Sequence, residues 1–376
     1  MVTHVNTRRG ALAILALAAG GGLAACDGAG SGAGSQGSGG AASTGTLAYS
    51  SDGNVVTLTT DGKQRAQLTR VSGGALARDP VWAPDGKRIA YAYTPPLPST
   101  RGPTGQLPLP ATDIFVMNAD GSDAKALVTH EAPGVGYETP AWAPDGKWLY
   151  VTYTALLVES NVVRDQTLEV ARLPLDGGAR QTLAPSAAFP SLSRDGKRLA
   201  FVSATLSGQA LVVSDPDGKN ARTVVPQGQL DGISYPRLSP DGKSVVFSAI
   251  APMLPIPTTT PPPGRAAPTP ATRSDAGSRL LTARRDATAA LLGALRPRSV
   301  QAHGLPMDLY LVGADGSGLR RVTQLGEDDP AGVWSPDGRR LAIRAGGGMY
   351  VLNADGSALT SVDQRGGQGA ADWKPV

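Results

Sequence analysis

The sequence predicts an all-β fold, a six-bladed β-propeller of four-stranded antiparallel blades. Three observations lead to this prediction. A motif made of an aromatic residue or Leu, two further residues, Asp-Gly and a basic residue occurs five times. A short apolar run follows each copy, and a second strand that ends in Asp-Gly comes after it. The two ends of the chain hold complementary parts of one more unit, as expected of a closed ring of repeats.

The recurring motif predicts the turn between the first two strands of each blade, named A and B in a blade with strands A to D. Pro fixes φ, Asp bonds its own backbone, and Gly adopts positive φ. Together they predict a tight connection between antiparallel strands. The five copies occupy residues 82–87, 142–147, 192–197, 238–243 and 334–339.

The first residue of each motif is a large apolar side chain. At this recurring position we predict packing between neighbouring blades and no contact with a ligand. The six residues are Trp82, Trp142, Leu192, Leu238, Trp334 and Trp373.

The chain ends predict how the ring closes. Residues 47–69 supply strands B, C and D but no strand A, and residues 371–375 supply a strand A with nothing after it. Pairing of the last strand with the first completes the sixth blade and removes an exposed sheet edge. A seven-bladed ring and a two-sheet sandwich are the alternatives.

The N-terminal region predicts an export signal over residues 1–25 and a flexible Gly/Ser-rich tether over 26–46, before the propeller at 47–376. The sequence Leu-Ala-Ala-Cys, which ends at Cys26, resembles a bacterial lipobox. This resemblance implies a diacylated Cys26 and anchoring in a membrane through the N-terminal lipid. We expect the protein at the outer face of the cytoplasmic membrane or in the periplasm. An ordinary signal peptide is the alternative, and Arg8-Arg9 leaves the export route open.

Three insertions all fall between strands B and C, at residues 94–112, 155–166 and 250–306. Because strands alternate in direction, the B–C and D–A loops share one face, where we expect function. The third insertion is Pro-rich and then predicts a helix over 276–296 that carries Arg284 and Arg285. A basic helix suits anionic lipid or an acidic partner; docking on its own propeller, or disorder, is the alternative.

Carboxylates and tyrosines are concentrated where strand D leads to the next strand A. We predict that they surround the mouth of the central channel and bind a cation, a basic peptide or a sugar; solvated strand ends are the alternative. These residues are Asp79, Tyr137, Glu138, Asp231, Tyr235, Asp328 and Asp329.

The sequence lacks the patterns of common catalytic sites. It has no Gly-x-Ser-x-Gly, no phosphate-binding Gly loop and no His cluster with metal-ligand spacing. Asp215–Asn220 resembles the start of a calcium loop, but it lies where other blades have a C–D turn. We therefore predict a monomeric non-enzyme without cofactor or metal. The net charge of +4 does not suggest a nucleic-acid partner.

The repeats, together with Asn-Ala-Asp-Gly-Ser at 118–122 and 353–357, resemble the TolB-like propeller family over residues 47–376, apart from the insertions. The resemblance implies a scaffold that binds envelope proteins. We expect no counterpart of TolB's N-terminal α/β domain, because the tether leads directly into the first blade. We therefore predict a non-catalytic envelope module that binds a protein or peptide. A propeller lyase or glycosidase acting on polysaccharide and an extracytoplasmic ligand sensor are the alternatives.

Overall fold

The computed structural model describes residues 45–98, 108–250 and 306–376. In these ranges the chain forms 24 β-strands in six four-stranded antiparallel sheets, each of them one blade of a propeller. The predicted fold class is confirmed. No helix long and apolar enough to cross a membrane occurs in these ranges. The predictions for the signal, the lipid on Cys26, most of the tether and the 276–296 helix concern residues outside them.

The first three blades are built from neighbouring parts of the chain, apart from the closing strand β24, Asp372–Trp373, of blade 1. The other strands of blade 1 are β1 Thr46–Ser51, β2 Asn54–Thr59 and β3 Arg65–Gln67. Blade 2 contains β4 Leu76–Trp82, β5 Arg88–Thr94, β6 Asp113–Asn118 and β7 Lys125–Val128. Blade 3 contains β8 Val135–Trp142, β9 Trp148–Glu159, β10 Val162–Pro174 and β11 Gln181–Pro185.

The other three blades repeat the same A-to-D order. Blade 4 contains β12 Ala187–Leu192, β13 Leu199–Thr205, β14 Gly208–Ser214 and β15 Arg222–Val225. Blade 5 contains β16 Ser234–Leu238, β17 Ser244–Ile250, β18 Met307–Gly313 and β19 Arg320–Arg321. Blade 6 contains β20 Ala331–Trp334, β21 Arg340–Ala345, β22 Gly348–Asn353 and β23 Thr360–Asp363.

The A–B turns form as the motif predicts. In blade 2 the amide of Gly86 donates to Ala83 O at 2.8 Å, and the amide of Lys87 donates to Asp85 Oδ1 at 2.9 Å. Gly86 has a φ of 63°, in the left-handed region that favours glycine. The turn therefore needs Asp as an acceptor and Gly for its backbone angle.

The large apolar side chains at the start of each motif pack in the core, as predicted. Five of the six are at most 9% exposed, and Leu192 is partly buried. Two of the tryptophans also bond the preceding blade through the indole N–H: Trp142 donates to Val81 O at 3.3 Å, and Trp334 donates to Arg237 O at 3.0 Å. These residues hold adjacent blades together.

Ring closure by the two chain ends is confirmed. Strand β24 pairs with β1, placing Trp373 opposite Leu47 and Asp372 opposite Ala48. The amide of Lys374 then donates to Thr46 O at 2.8 Å. Blade 1 is therefore assembled from both ends of the described chain.

The insertion predicted at 155–166 is not an irregular loop. Strands β9 and β10 continue through it as a hairpin, with Glu159 opposite Val162 and only two residues at the turn. Ser160 and Asn161 both have positive φ, 52° and 61°, as a two-residue hairpin turn of the primed type requires. Blade 3 therefore carries a projecting β-hairpin.

Candidate functional site

The two ends of the ring differ. We call the end that carries the B–C and D–A loops the insertion face, and the end that carries the A–B and C–D turns the turn face. Strand A of each blade lines the central channel between them. The candidate residues lie along this channel and on the insertion face.

In five blades, a residue in strand A or just before it has an unusual backbone conformation. This residue precedes a proline, and its φ lies between 46° and 60°, which is rare for residues other than glycine. In four of the blades the pairing of strands A and B also shifts register at this point. Such a bulge turns the side chain away from the regular strand direction. The five residues are Asp79, Thr139, Phe189, Tyr235 and Asp329.

A buried ionic network surrounds Asp79. Nη2 of Arg78 lies 2.7 Å from Oε1 of Glu138, and Nη1 of Arg78 lies 3.7 Å from Oδ2 of Asp79. Burial alone would lower the pKa of Arg78, but the charges of Glu138 and Asp79 raise the pKa above its usual value. The guanidinium therefore stays charged inside the ring.

Tyr235 is buried inside the ring. Its ring packs 4.9 Å from that of Phe189 and is 1% exposed. Burial raises the pKa of its hydroxyl well above the usual value, and the negative charges of Asp329 and Asp79 add to this. The hydroxyl has no hydrogen-bond partner among the described residues. Tyr235 is thus a neutral phenol buried among charged groups.

The same network holds the segment that leads to the closing strand. Oδ1 of Asp79 accepts a hydrogen bond from Ala370 N at 2.6 Å. Arg344 donates to Gly367 O at 2.9 Å and to Asp329 O at 2.7 Å. Asp79 therefore has a structural role in ring closure, whatever else it binds.

The structure brings together four of the residues predicted around the channel mouth. Asp79, Glu138, Tyr235 and Asp329 belong to the network, and of these Asp79 and Tyr235 are buried rather than at the rim.

The remaining predicted residues lie elsewhere. Tyr137 is buried; its hydroxyl donates to Glu131, and its ring packs 5.4 Å from that of Tyr153. Asp231 is exposed and Asp328 is partly buried. Arg284 and Arg285 lie outside the described residues.

The insertion face carries exposed apolar side chains. The described residues include six large hydrophobics that are exposed, and four of these lie at the B–C turns of the adjacent blades 3 and 4. They are Leu157, Val162, Val163 and Leu206, which are 54%, 37%, 42% and 72% exposed. We call these four residues the apolar tip. On the hairpin of blade 3, Arg164 pairs with Glu159 at 3.5 Å.

The sequence-based prediction missed four charged residues of the channel: Arg78, Arg237, Arg344 and Asp372. Arg237 and Asp372 stand directly before the Leu or Trp of their motifs, where other blades have small or apolar residues. Aligning the six repeats would have singled them out. No group of three or more His, Cys, Asp or Glu in the described ranges could hold a metal ion.

Comparison with known proteins gives limited sequence similarity. No protein-family model matches the sequence. The chain is similar to the uncharacterized peptidase YuxL of Bacillus subtilis, with 29% identity over 177 residues. This match covers 47% of the chain and 22% of YuxL, so it spans about a fifth of that relative's length.

Solved structures match over most of the chain. TolB from Acinetobacter baumannii has a TM-score of 0.56 and 16% identity, covering 88% of this chain and 67% of that one. A protein described as a TolB from Agrobacterium tumefaciens has a TM-score of 0.50 and 15% identity, covering 89% and 100%. A chain of the nidogen/laminin complex has a TM-score of 0.56 and 8% identity, covering 88% and 98%. At such identities the likeness establishes the fold alone: the chain is a six-bladed β-propeller, similar in fold to the two TolB structures.

Proposed function

We propose that the protein is a non-catalytic envelope module, anchored by a lipid on Cys26, that binds a protein or peptide through its insertion face. The single observation that carries this proposal is the apolar tip. Several exposed large apolar side chains on one face of a domain favour contact with another protein. A chain with a similar fold stands in the nidogen/laminin complex, a protein–protein assembly.

The hairpin of blade 3 suits this role. Strand β9 has 12 residues, whereas strand B has at most 7 in the other blades. At about 3.4 Å per residue, the five extra residues extend the hairpin by about 17 Å. Leu157 and Val162 therefore stand clear of the ring, where a partner can reach them. The predicted role of Arg284 and Arg285 in binding remains part of the proposal.

The test is site-specific photo-crosslinking in the cells that produce the protein. A photoreactive amino acid is placed at Leu157 or Val162, and a matched control at Leu359, which is 45% exposed in the C–D turn of blade 6 on the turn face. We expect both tip positions to give the same adduct of one discrete mass and Leu359 not to give it.

A second variant separates binding from folding. Leu157→Asp puts a charge on the tip without touching the core, so we expect its thermal unfolding to be unchanged and the adduct at Val162 to be lost. An adduct formed equally from Leu359, or no adduct from either tip position, contradicts the proposal.

A further inference from the structure

The channel holds a cavity at its other end, on the turn face. Its volume is about 320 Å³, near the lower end of the range for small-molecule pockets. The A–B turns and, in blade 1, the segment after β24 form its mouth, and they carry a proline at the same position in five blades. These prolines are Pro84, Pro144, Pro240, Pro336 and Pro375. Blade 4 has Arg194 at this position, a cation where the repeat otherwise places an apolar ring.

The next layer of the cavity is formed by the residue directly before the Trp or Leu of each motif. In four blades this residue is apolar or small: Val81, Ala141, Ser191 and Val333. Blade 5 has Arg237 there, and blade 1 has Asp372. This layer thus combines mainly apolar walls with one cation and one anion, the composition of a site that orients a small ligand.

Arg237 is poorly satisfied within the described residues. It is partly buried, and its guanidinium donates one hydrogen bond of 3.5 Å, to the carbonyl of the adjacent Pro236. No carboxylate in the described ranges lies within 4.0 Å of it. Burial lowers the pKa of Arg237 below its usual value, and the charges of Asp372 and Asp79 oppose that effect. A partly buried guanidinium with one long hydrogen bond favours an anionic partner, and a carboxylate matches its paired N–H donors.

Asp372 lines the same cavity without touching Arg237. Its Oδ2 accepts a hydrogen bond from Trp82 N at 2.7 Å, which fixes the carboxyl group in place. Its charge acts on Arg237 across the intervening space. A ligand that satisfies both side chains needs an anionic end and a cationic or hydrogen-bond-donating end.

Arg194 adds a second positive charge at the mouth. Its Nη1 donates to Pro336 O at 3.2 Å, so the side chain reaches from the turn of blade 4 to that of blade 6. With two arginines and one aspartate, the charged groups lining the cavity sum to +1. The carboxylate end of a ligand therefore gains the larger electrostatic attraction.

We propose that this cavity binds a small zwitterion of the amino-acid or dipeptide class, with its carboxylate on Arg237 and its ammonium group toward Asp372. The site lies at the opposite end of the channel from the apolar tip. It is therefore independent of the partner proposed for the insertion face.

Calorimetric titration of the full-length protein tests this proposal. The probes are L-leucine and L-leucyl-L-leucine, with 4-methylpentanoate, which lacks the amine, and isoamylamine, which lacks the carboxylate. Since each charged contact is lost with its group, we expect one zwitterion to bind at least about tenfold more tightly than either single-charge analogue. Whichever of the two zwitterions binds more tightly shows whether the site takes a free amino acid or a dipeptide. The proposal is overturned if neither zwitterion binds at about 10 mM, or if a single-charge analogue binds as tightly as the zwitterions.

Variants assign the contacts. We expect Arg237→Gln to weaken zwitterion binding about tenfold or more, and Asp372→Asn to remove the preference over 4-methylpentanoate. Arg194→Pro restores the residue found in the other blades, so it should fold normally while weakening binding about threefold. Arg339→Gln, which removes an exposed arginine from the A–B turn of blade 6 outside the cavity, is the control and should bind like the parent protein. Unchanged affinity in Arg237→Gln overturns the assignment, and thermal unfolding checks that each variant is folded.

Discussion

At the scale of single residues, Asp372 couples ring closure to pH. Burial raises the pKa of its carboxyl from 3.8 to about 6, although the charge of Arg237 and the Trp82 amide oppose the shift. Because the pKa in the folded protein is the higher one, the folded state holds the proton more tightly. The stability that this group contributes is therefore fully present below about pH 4 and is lost as pH rises through about 6.

We predict that Asp372→Asn removes this dependence. The Asn carbonyl still accepts the Trp82 N–H but cannot ionise. The free energy of unfolding of the variant, relative to the parent, should rise by about 1–3 kcal/mol between pH 4 and pH 7. Urea unfolding at both pH values measures the difference. Asp315→Asn is the control with the opposite sign, since the Ser317 hydrogen bonds lower the pKa of that exposed carboxyl. If the unfolding free energy of Asp372→Asn relative to the parent is the same at both pH values, Asp372 is not the group with the raised pKa.

Individual residues were predictable from the sequence only where the repeat fixes their environment. Trp82 and its equivalents were predicted to be buried because their position recurs next to the same turn. Arg78 and Arg344 were not found, because their partners are distant in sequence: Arg78 contacts Glu138 of the next blade, and Arg344 contacts Gly367 in the segment that leads to the closing strand. Tyr235 was predicted to lie near the channel mouth, but it is buried beside a shift in the pairing of strands A and B, which strand alternation does not reveal.

At the scale of elements, glycine serves different needs in the two kinds of Asp-Gly turn. In the A–B turn of blade 3, a Cβ on Gly146 would meet nothing within 4 Å, so only its φ of 66° favours glycine. In the C–D turn of blade 2, a Cβ on Gly121 would lie 2.7 Å from Leu68 O of the preceding blade. The C–D turn thus needs glycine for close packing between blades as well. Gly62, Gly218 and Gly356 make similarly close approaches.

We predict that Gly121→Ala destabilises the protein more than Gly146→Ala. Both substitutions place Ala at positive φ, which costs about 1 kcal/mol. Gly121→Ala also forces two blades apart, which adds about 1–3 kcal/mol. Chemical denaturation of the two variants measures the difference between their free energies of unfolding. If both variants lose the same free energy of unfolding, the contact between the blades adjusts without cost.

Most strands and turns could be predicted from the sequence, because turn-forming residues and apolar runs alternate regularly along the chain. The hairpin at 155–166 was the exception, since an unusually long B–C connection was interpreted as a loop. Its sequence is rich in β-branched and apolar residues, and Ser160-Asn161 provides a two-residue turn. The segment forms a hairpin because β9 and β10 continue to pair through it. Such pairing depends on both strands together and cannot be judged from either one alone.

At the scale of the whole molecule, the ring is held closed by a short strand and a few polar contacts. Strand β24 pairs with β1 over only two residue pairs. Asp79 binds Ala370 N, Arg344 binds Gly367 O, and Asp372 binds Trp82 N. Trp373 adds its side chain, 5% exposed, to the core between blades 1 and 6. Closure therefore depends on packing and on buried hydrogen bonds more than on strand pairing.

This balance predicts the effect of removing the closing segment. A chain that ends at Gln368 loses β24, removes the Ala370 amide that donates to Asp79, and leaves the edge of β1 unpaired. The loss of Trp373 packing alone is worth about 3–5 kcal/mol, a large part of the stability of an ordinary domain. We expect a strongly lowered unfolding temperature, together with aggregation through the open edge.

Adding a synthetic peptide of residues 369–376 in excess should restore part of the lost unfolding temperature, because a ligand that binds only the folded ring stabilises it by mass action. The control peptide carries Ala in place of Trp373 and should restore much less, since it keeps the strand but not the side chain between the blades. Rescue by both peptides to the same extent would mean that strand pairing, and not Trp373, closes the ring. Full stability of the shortened chain would mean that the ring does not need its last strand.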